Sequence, residues 1–362
     1  MSFKSFARIG ASRWLLAAAL TGAGLLASCG GGGQLVPFVP TRVLAFGDDL
    51  SALEADGRKY SINAFRQVTA SNGTVTEDPT TLDCLRNPLW VQDVAASYGL
   101  VYDRCLGTAT TATGQVLARN GHKVADFAAQ IAAVQGNALG ELDLALVMVG
   151  MNDILELYDV VRLNPAADRA ALLAAARVRG AALGAQINQL ALRGPAVVVL
   201  TVPDIGLSPF AQGQNTSTGD ATRSLLISQL VEVFNNRMSV ELINDGRLIG
   251  LVYADIEVQN YVRFAPSFGL VNVVAPACTT ALPDCTTATW CRPTPPPAPR
   301  PRQAPPGCGQ TACACRPLHT RAWANSPWRA RGTTLSSPRR AAAGVLGGRA
   351  RAGFWAGVPK VG

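Results

Sequence analysis

Residues 142–153 read LDLALVMVGMND, an apolar run of strand length that stops at a glycine and two polar residues. Continuous apolar runs of this length are typical of strands buried on both faces of a parallel sheet. Three further runs have the same character: residues 41–46 (TRVLAF), 196–202 (AVVVLTV) and 248–253 (LIGLVY). The sequence therefore predicts a sheet whose strands are enclosed on both sides.

Segments with helical apolar spacing separate these strands. They are residues 89–98, 124–134 and 222–243, together with an Ala- and Leu-rich run up to Arg193 for which Asn164 is the predicted N-cap and Pro165 the first helical residue. Residues 58–88 are polar and contain prolines, which indicates an irregular excursion. Alternating strands and helices predict one α/β domain over residues 41–289, with any site at the carboxyl ends of the strands.

Three of those strand ends carry a recognisable set of residues. Residues 47–51 read GDDLS, residues 150–153 read GMND and residues 202–209 read VPDIGLSP. Their order, spacing and placement after strands resemble the GDSL or SGNH hydrolase family over residues 41–276. The Gly-x-Asn-Asp turn is the most specific of the three matches.

The resemblance implies a flavodoxin-like three-layer sandwich and hydrolysis of carboxylic esters. In that family a serine of the first turn is the nucleophile, a C-terminal Asp-x-x-His motif supplies the base, and a glycine and an asparagine donate to the oxyanion. Asn152 matches the asparagine donor. For the glycine we favour Gly121, with Gly114 as the second choice.

The sequence departs from the family pattern at the nucleophile and at the base. Asp49 occupies the serine position, and a carboxylate there should repel the charge that an oxyanion hole stabilises. Ser51 is a candidate for a shifted nucleophile. No Asp-x-x-His motif occurs in the tail, and His122 is interpreted as an exposed loop residue. The alternative interpretation of Asp48, Asp49, Ser51 and the Asn152–Asp153 pair is structural, as turn and helix-capping residues.

The amino-terminal residues indicate export. Residues 1–28 combine a basic start with a short apolar run, and residues 26–29 (LASC) resemble a bacterial lipobox in which Cys29 is lipidated. Residues 29–40 are then a Gly-rich tether. We expect a lipid-anchored protein of the bacterial cell envelope, at the outer membrane because Gly30 follows Cys29, or a secreted protein if the lipobox is not used.

Export makes disulfides the expected state of the cysteines. The local spacings predict the pairs Cys84–Cys105 and Cys278–Cys285. The sequence contains two histidines and lacks zinc-ligand spacings, so we expect no metal and no cofactor.

Residues 290–362 form a tail that differs from the rest of the chain. The tail has 12 Lys or Arg and no Asp or Glu, whereas the body without leader and tail has 17 basic and 24 acidic residues. The net charge of +8 thus gives no reason to expect a nucleic-acid partner. We hypothesise a single-base deletion near Trp290, because a shifted frame of the tail permits an Asp-Gly-Val-x-Leu-Ser string resembling the family's last motif. The alternatives are an irregular or disordered Pro/Arg-rich extension and a basic arm that binds membrane or RNA.

Two functions remain open from the sequence. The first is an exported esterase or lipase-like hydrolase with impaired catalysis, acting on a small ester or lipid through Ser51 or through a water activated by Asp49. The second is a non-catalytic relative that binds a ligand or has a structural role in the envelope.

Overall fold

The computed structural model describes residues 37–136, 138–270 and 272–290. The predicted signal peptide, the predicted lipidation site Cys29 and all of the tail after Trp290 lie outside the described residues. In the described part the strands are β1 (Arg42–Gly47), β2 (Phe65–Thr69), β3 (Val75–Leu82), β4 (Gly114–Val116), β5 (Asp143–Met148), β6 (Ala196–Leu200) and β7 (Ile249–Val252). The α-helices are α1 (Trp90–Ser97), α2 (Phe127–Ala132), α3 (Met151–Leu163), α4 (Arg169–Ala191), α5 (Pro209–Thr218), α6 (Thr222–Glu241) and α7 (Ala254–Arg263).

Five strands form one sheet in the order β4-β1-β5-β6-β7, and each neighbouring pair is parallel. Every residue of β5 and β6 is buried, so both faces of the sheet are covered. The prediction of an α/β domain with a parallel sheet flanked by helices is therefore confirmed. The arrangement is compatible with a three-layer sandwich.

An ion pair and an aromatic contact fix the register and the packing of the central strands. At the start of the sheet, Arg42 Nε donates to Asp143 Oδ1 at 2.7 Å and its Nη2 to Asp143 Oδ2 at 2.5 Å. Arg42 and Asp143 are also partners in the β1–β5 register. Above the strands, the rings of Phe46 and Phe127 meet edge to face with centroids 5.8 Å apart, which docks α2 on β1. Burial of each such aromatic side chain contributes about 1.5–3 kcal/mol.

Two helices differ from what the sequence predicts. The Gly-x-Asn-Asp turn continues directly into the 13-residue helix α3, which begins at Met151 and is not predicted from the sequence. Helix α4 begins at Arg169 and not at Pro165, because the Asp168 side chain accepts from the N–H groups of Ala170 and Ala171 and so provides the cap. A cap that satisfies two backbone donors outweighs the proline signal four residues earlier.

The polar excursion contains more structure than the sequence indicates. Strands β2 and β3 pair as an antiparallel hairpin within it. Before the hairpin, the buried Lys59 ammonium donates to three backbone carbonyls, those of Cys84, Arg86 and Asn87. Burial lowers the pKa of Lys59 to about 8. Asn63 Nδ2 donates to the Cys285 carbonyl at 3.1 Å, which ties the excursion to the segment after α7.

Two disulfides occur among the described residues, Cys84–Cys105 and Cys278–Cys285. These are the two pairs that the spacings predict. Across the same residues, no helix is both long enough and apolar enough to cross a bilayer.

Candidate functional site

The site lies where β1 and β5 end side by side. Gly47 is the last residue of β1 and pairs with Met148, the last residue of β5. Gly47 has a φ of +136°, and a Cβ atom there would lie 1.8 Å from the Met148 carbonyl oxygen. The turn after β1 therefore requires glycine, and it brings the two carboxylates that follow against the start of α3.

Asp48 is a buried capping residue. Its Oδ2 accepts from the backbone N–H groups of Gly150 and Met151, both at 3.0 Å, and its Oδ1 accepts from Leu50 N at 3.3 Å. The side chain thus caps the 3-10 turn Asp49–Ser51 and the first turn of α3 together. The capping role expected for Asp48 is confirmed.

The protonation of Asp48 follows from its surroundings. Burial and then the neighbouring charge of Asp49 raise the pKa of Asp48 to about 8, against the effect of the three backbone donors. Asp48 is therefore protonated in most of the folded molecules near neutral pH.

Asp49 lies between two donors from other parts of the chain. Its Oδ2 accepts from the Gly121 backbone N–H at 2.9 Å and from Asn152 Nδ2 at 2.5 Å. Only 8% of Asp49 is exposed. The structure therefore brings together three of the residues that the sequence singles out, and the carboxylate of Asp49 occupies the two donors.

The first turn of α3 holds the loop that carries Gly121. Asn152 Nδ2 also donates to the His122 carbonyl at 3.0 Å, and Asp153 Oδ2 accepts from Val124 N at 2.9 Å. Burial raises the pKa of Asp153. Asn152 and Asp153 thus position the loop. The alternative interpretation, in which they serve only as local turn and cap residues, does not account for these contacts.

Gly114, the second choice for the glycine donor, lies elsewhere. It is the first residue of β4 and is buried against Val43, whose carbonyl oxygen would lie 2.7 Å from a Cβ atom at Gly114. Its place in the sheet explains why a glycine is needed there, whereas the donor to Asp49 is Gly121.

His122 lies in a loop, as predicted, but it is half-buried and not exposed. Its Nδ1 lies 2.9 Å from Gln130 Nε2. Gln130 Oε1 accepts from Gly47 N, so Nε2 is the amide nitrogen and donates to the imidazole. In neutral His122 the proton is then on Nε2, a tautomer in which neither ring nitrogen is free to accept a proton from a nucleophile.

Ser51 is separate from the donor pair. None of its surface is exposed, and its Oγ accepts from the Trp90 indole N–H at 3.1 Å. This arrangement matches a structural role in the turn and leaves no access for a substrate.

The third recognisable turn, after β6, is also a capped turn. Asp204 Oδ1 accepts from Gly206 N at 3.2 Å and from the Ser228 hydroxyl at 2.6 Å, and its Oδ2 accepts from Gln259 Nε2 at 3.1 Å. Both carboxylate oxygens are engaged within this turn and its neighbouring helices.

Tyr60 is a residue of the site that the sequence does not indicate. Only 3% of Tyr60 is exposed, and its hydroxyl has no hydrogen-bond partner among the described residues. Burial, followed by the charges of Asp49 and Asp48, raises the pKa of Tyr60. The residue lies in the polar excursion, where neither periodicity nor a motif marks it.

The described residues contain no group of three His, Cys, Asp or Glu that could hold a metal. A cavity of about 360 Å³ lies at the other end of the sheet, lined by Phe38, Leu192, Pro195, Arg247 and others. It adjoins Ala196, where β6 begins, and so is remote from the carboxyl ends of the strands.

Comparison with known proteins gives no assignment. No protein-family model matches the chain, and no curated protein is significantly similar to it in sequence.

Proposed function

We propose that the chain is an exported SGNH/GDSL-like protein built as a carboxylic-ester hydrolase whose serine-type catalysis is impaired. The observation that carries the proposal is the position of the Asp49 carboxylate between Gly121 N–H and Asn152 Nδ2. The order β4-β1-β5-β6-β7 supports a flavodoxin-like sandwich, because in chain order the strands of that sheet run 2-1-3-4-5.

The donor pair is of the kind that ester hydrolysis needs. A backbone N–H and a side-chain amide converge on one oxygen, and removing one such donor in a working enzyme costs about 10²–10³ in rate. Here the oxygen between the two donors is Oδ2 of Asp49 and not an oxygen of a substrate. A substrate carbonyl must displace a carboxylate before the donors can act on it.

A second candidate function, a non-catalytic ligand-binding or structural relative, is favoured by the nucleophile. Asp49 has no hydroxyl, Ser51 is fully buried against Trp90, and the described residues place no free imidazole beside either side chain. The two candidates differ in whether ester turnover appears once a serine replaces Asp49.

Hydrolysis of p-nitrophenyl acetate separates them when the wild type is compared with Asp49→Ser, Asp49→Ala and Ser51→Ala. We expect wild-type turnover at the rate of the buffer, and turnover by Asp49→Ser at least about tenfold above that of Asp49→Ala, because both free the donors but only serine adds a nucleophile. Equal rates for these two variants would overturn the hydrolase framework. Wild-type turnover that Ser51→Ala abolishes would overturn the assignment of Ser51 as structural.

We also propose lipid anchoring at Cys29 in a bacterial envelope. Two acyl chains on one residue would give stable membrane attachment without a spanning helix. Metabolic labelling with an alkyne-tagged palmitate should mark the wild type and not Cys29→Ser. Labelling of both to the same extent would contradict the proposal.

A further inference from the structure

The Asp49 carboxyl group has two oxygens in different situations. Oδ2 accepts from Gly121 N–H and Asn152 Nδ2, whereas Oδ1 accepts no hydrogen bond from the described residues. Two donors thus hold Oδ2, whereas the lone pairs of Oδ1 remain available to attack an electrophile.

This geometry reverses the roles found in a serine esterase. There the donor pair holds the carbonyl oxygen of the substrate's acyl group. Here the donors hold an oxygen of the protein's own carboxyl group, so an ester formed on Oδ1 would have its carbonyl oxygen already in place. The matching substrate contributes an electrophilic alkyl carbon and no acyl group.

From this we infer that Asp49 is a carboxylate nucleophile for strained cyclic ethers, that is, for epoxides. Asp49 Oδ1 forms a bond to a ring carbon, the ring C–O bond breaks, and its electron pair goes to the ring oxygen. That oxygen takes a proton and becomes a hydroxyl. The product is a hydroxyalkyl ester of Asp49, and no oxidant or reductant is involved.

Tyr60 is the group that fits the proton-donating role. Its hydroxyl is buried and unpartnered among the described residues, and the antiparallel bridge between Leu53 and Lys59 folds the chain back so that Tyr60 lies beside the turn that carries Asp49. A buried hydroxyl without a partner is costly, and a substrate oxygen would supply that partner. Water then restores the proton to Tyr60.

The ester should accumulate. Its hydrolysis requires a base to activate water, and the proton on His122 Nε2, fixed by Gln130 at Nδ1, leaves that imidazole without a free acceptor. We therefore expect one modification per chain, with little release of diol.

The experiment uses 1,2-epoxybutane on the full chain, with intact-mass measurement and peptide mapping. The comparison is internal: modification of Asp49 is measured against that of Glu232, an exposed carboxylate on α6 of the same molecule. We expect Asp49 to react at least about ten times faster than Glu232, and Asn152→Ala to remove that advantage without changing the Glu232 rate. Asp49 modification no faster than that of Glu232 in natively folded wild type would overturn the inference.

Iodomethane serves as the control reagent for Tyr60. It alkylates a carboxylate with release of iodide, and this leaving group needs no proton. Tyr60→Phe should slow Asp49 modification by 1,2-epoxybutane about tenfold and leave modification by iodomethane unchanged. Equal slowing with both reagents would show that Tyr60 has only a structural role and would overturn its assignment as the proton donor.

Discussion

The turns after β1 and β6 begin alike, and they differ from the residue after the capping aspartate onward. Each opens with a buried aspartate that caps a 3-10 turn, Asp48 by accepting from Leu50 N and Asp204 by accepting from Gly206 N. The next residue is Asp49 in the first turn and the apolar Ile205 in the second. The capping aspartate is therefore structural in both turns, and the residue that follows decides whether the turn also presents a charged group.

The partners of the two capping residues differ accordingly. Asp204 accepts from the Ser228 hydroxyl and from Gln259, both neutral donors, with no second carboxylate in the turn. Asp48 accepts from backbone N–H groups alone and has the charge of Asp49 beside it. Repulsion between two neighbouring carboxylates therefore destabilises the β1 turn, whereas the β6 turn contains one carboxylate.

The largest expected effect is that of Gly47→Ala, which tests whether the β1 turn can exist without glycine. Its Cβ atom would meet the Met148 carbonyl oxygen at 1.8 Å, and the residue has a φ of +136°. We expect a loss of about 4 kcal/mol or more in the free energy of unfolding, measured by urea denaturation.

Gly73→Ala is the matched control, because Gly73 also has a positive φ of +81° but no atom within 4 Å of the added Cβ. We expect it to cost about 1–2 kcal/mol, from backbone conformation alone. Equal losses for the two variants would show that the contact with β5 does not constrain the turn.

The next effect compares the two capping aspartates by Asp204→Asn and Asp48→Asn. In Asp204→Asn an amide N–H₂ replaces an oxygen that accepts from Gln259 or from Ser228. We expect a loss of about 1–3 kcal/mol in the free energy of unfolding.

The cost of Asp48→Asn in the free energy of unfolding should depend on pH. The folded-state pKa of about 8 lies above the ordinary value, so the native state holds a proton that the unfolded state releases, and wild-type stability falls as pH rises from about 4 to 8. Asparagine removes this dependence, so the cost of Asp48→Asn should shrink between pH 5 and pH 9. A cost that grows with pH would contradict the assignment.

The smallest effect is that of Asp49→Asn on the same pH profile. Removing the Asp49 charge removes the second of the two causes that raise the pKa of Asp48, so the decrease in Tm between pH 5 and pH 9 should become smaller by a few degrees. Asp56→Asn changes an exposed aspartate and should leave the profile as in the wild type. The same profile for Asp49→Asn and the wild type would show that the two carboxylates do not interact.

Much of the fold follows from local sequence pattern. The strands β1, β5, β6 and β7 lie in the predicted apolar runs, and their ends are within two residues of the predicted ones. Strand β4 has three residues, Gly-Gln-Val, which is too short for any periodicity to emerge. Its pairing with β1 comes from the tertiary fold, as does the extension of α3 from what the sequence indicates as a turn.

Part of the candidate site can likewise be predicted from the sequence, and part of it cannot. The resemblance to the SGNH/GDSL pattern indicates Asp49, Gly121 and Asn152, and parallel strands place the turns after β1 and β5 at one edge of the sheet. Three other features depend on tertiary contacts that no spacing encodes. They are the burial of Ser51 against Trp90, the hydrogen bond of His122 to Gln130, and the chain reversal that places Tyr60 beside the β1 turn.

The central claim is that the Asp49 carboxylate occupies the Gly121 and Asn152 donors, and amide NMR tests it most directly. Hydrogen bonds to a carboxylate shift amide protons downfield, so in Asp49→Ala the Gly121 N–H and one Asn152 side-chain proton should both move upfield relative to the wild type. Asp56→Ala is the control and should leave both signals in place. Unchanged Gly121 and Asn152 signals in Asp49→Ala would contradict the account.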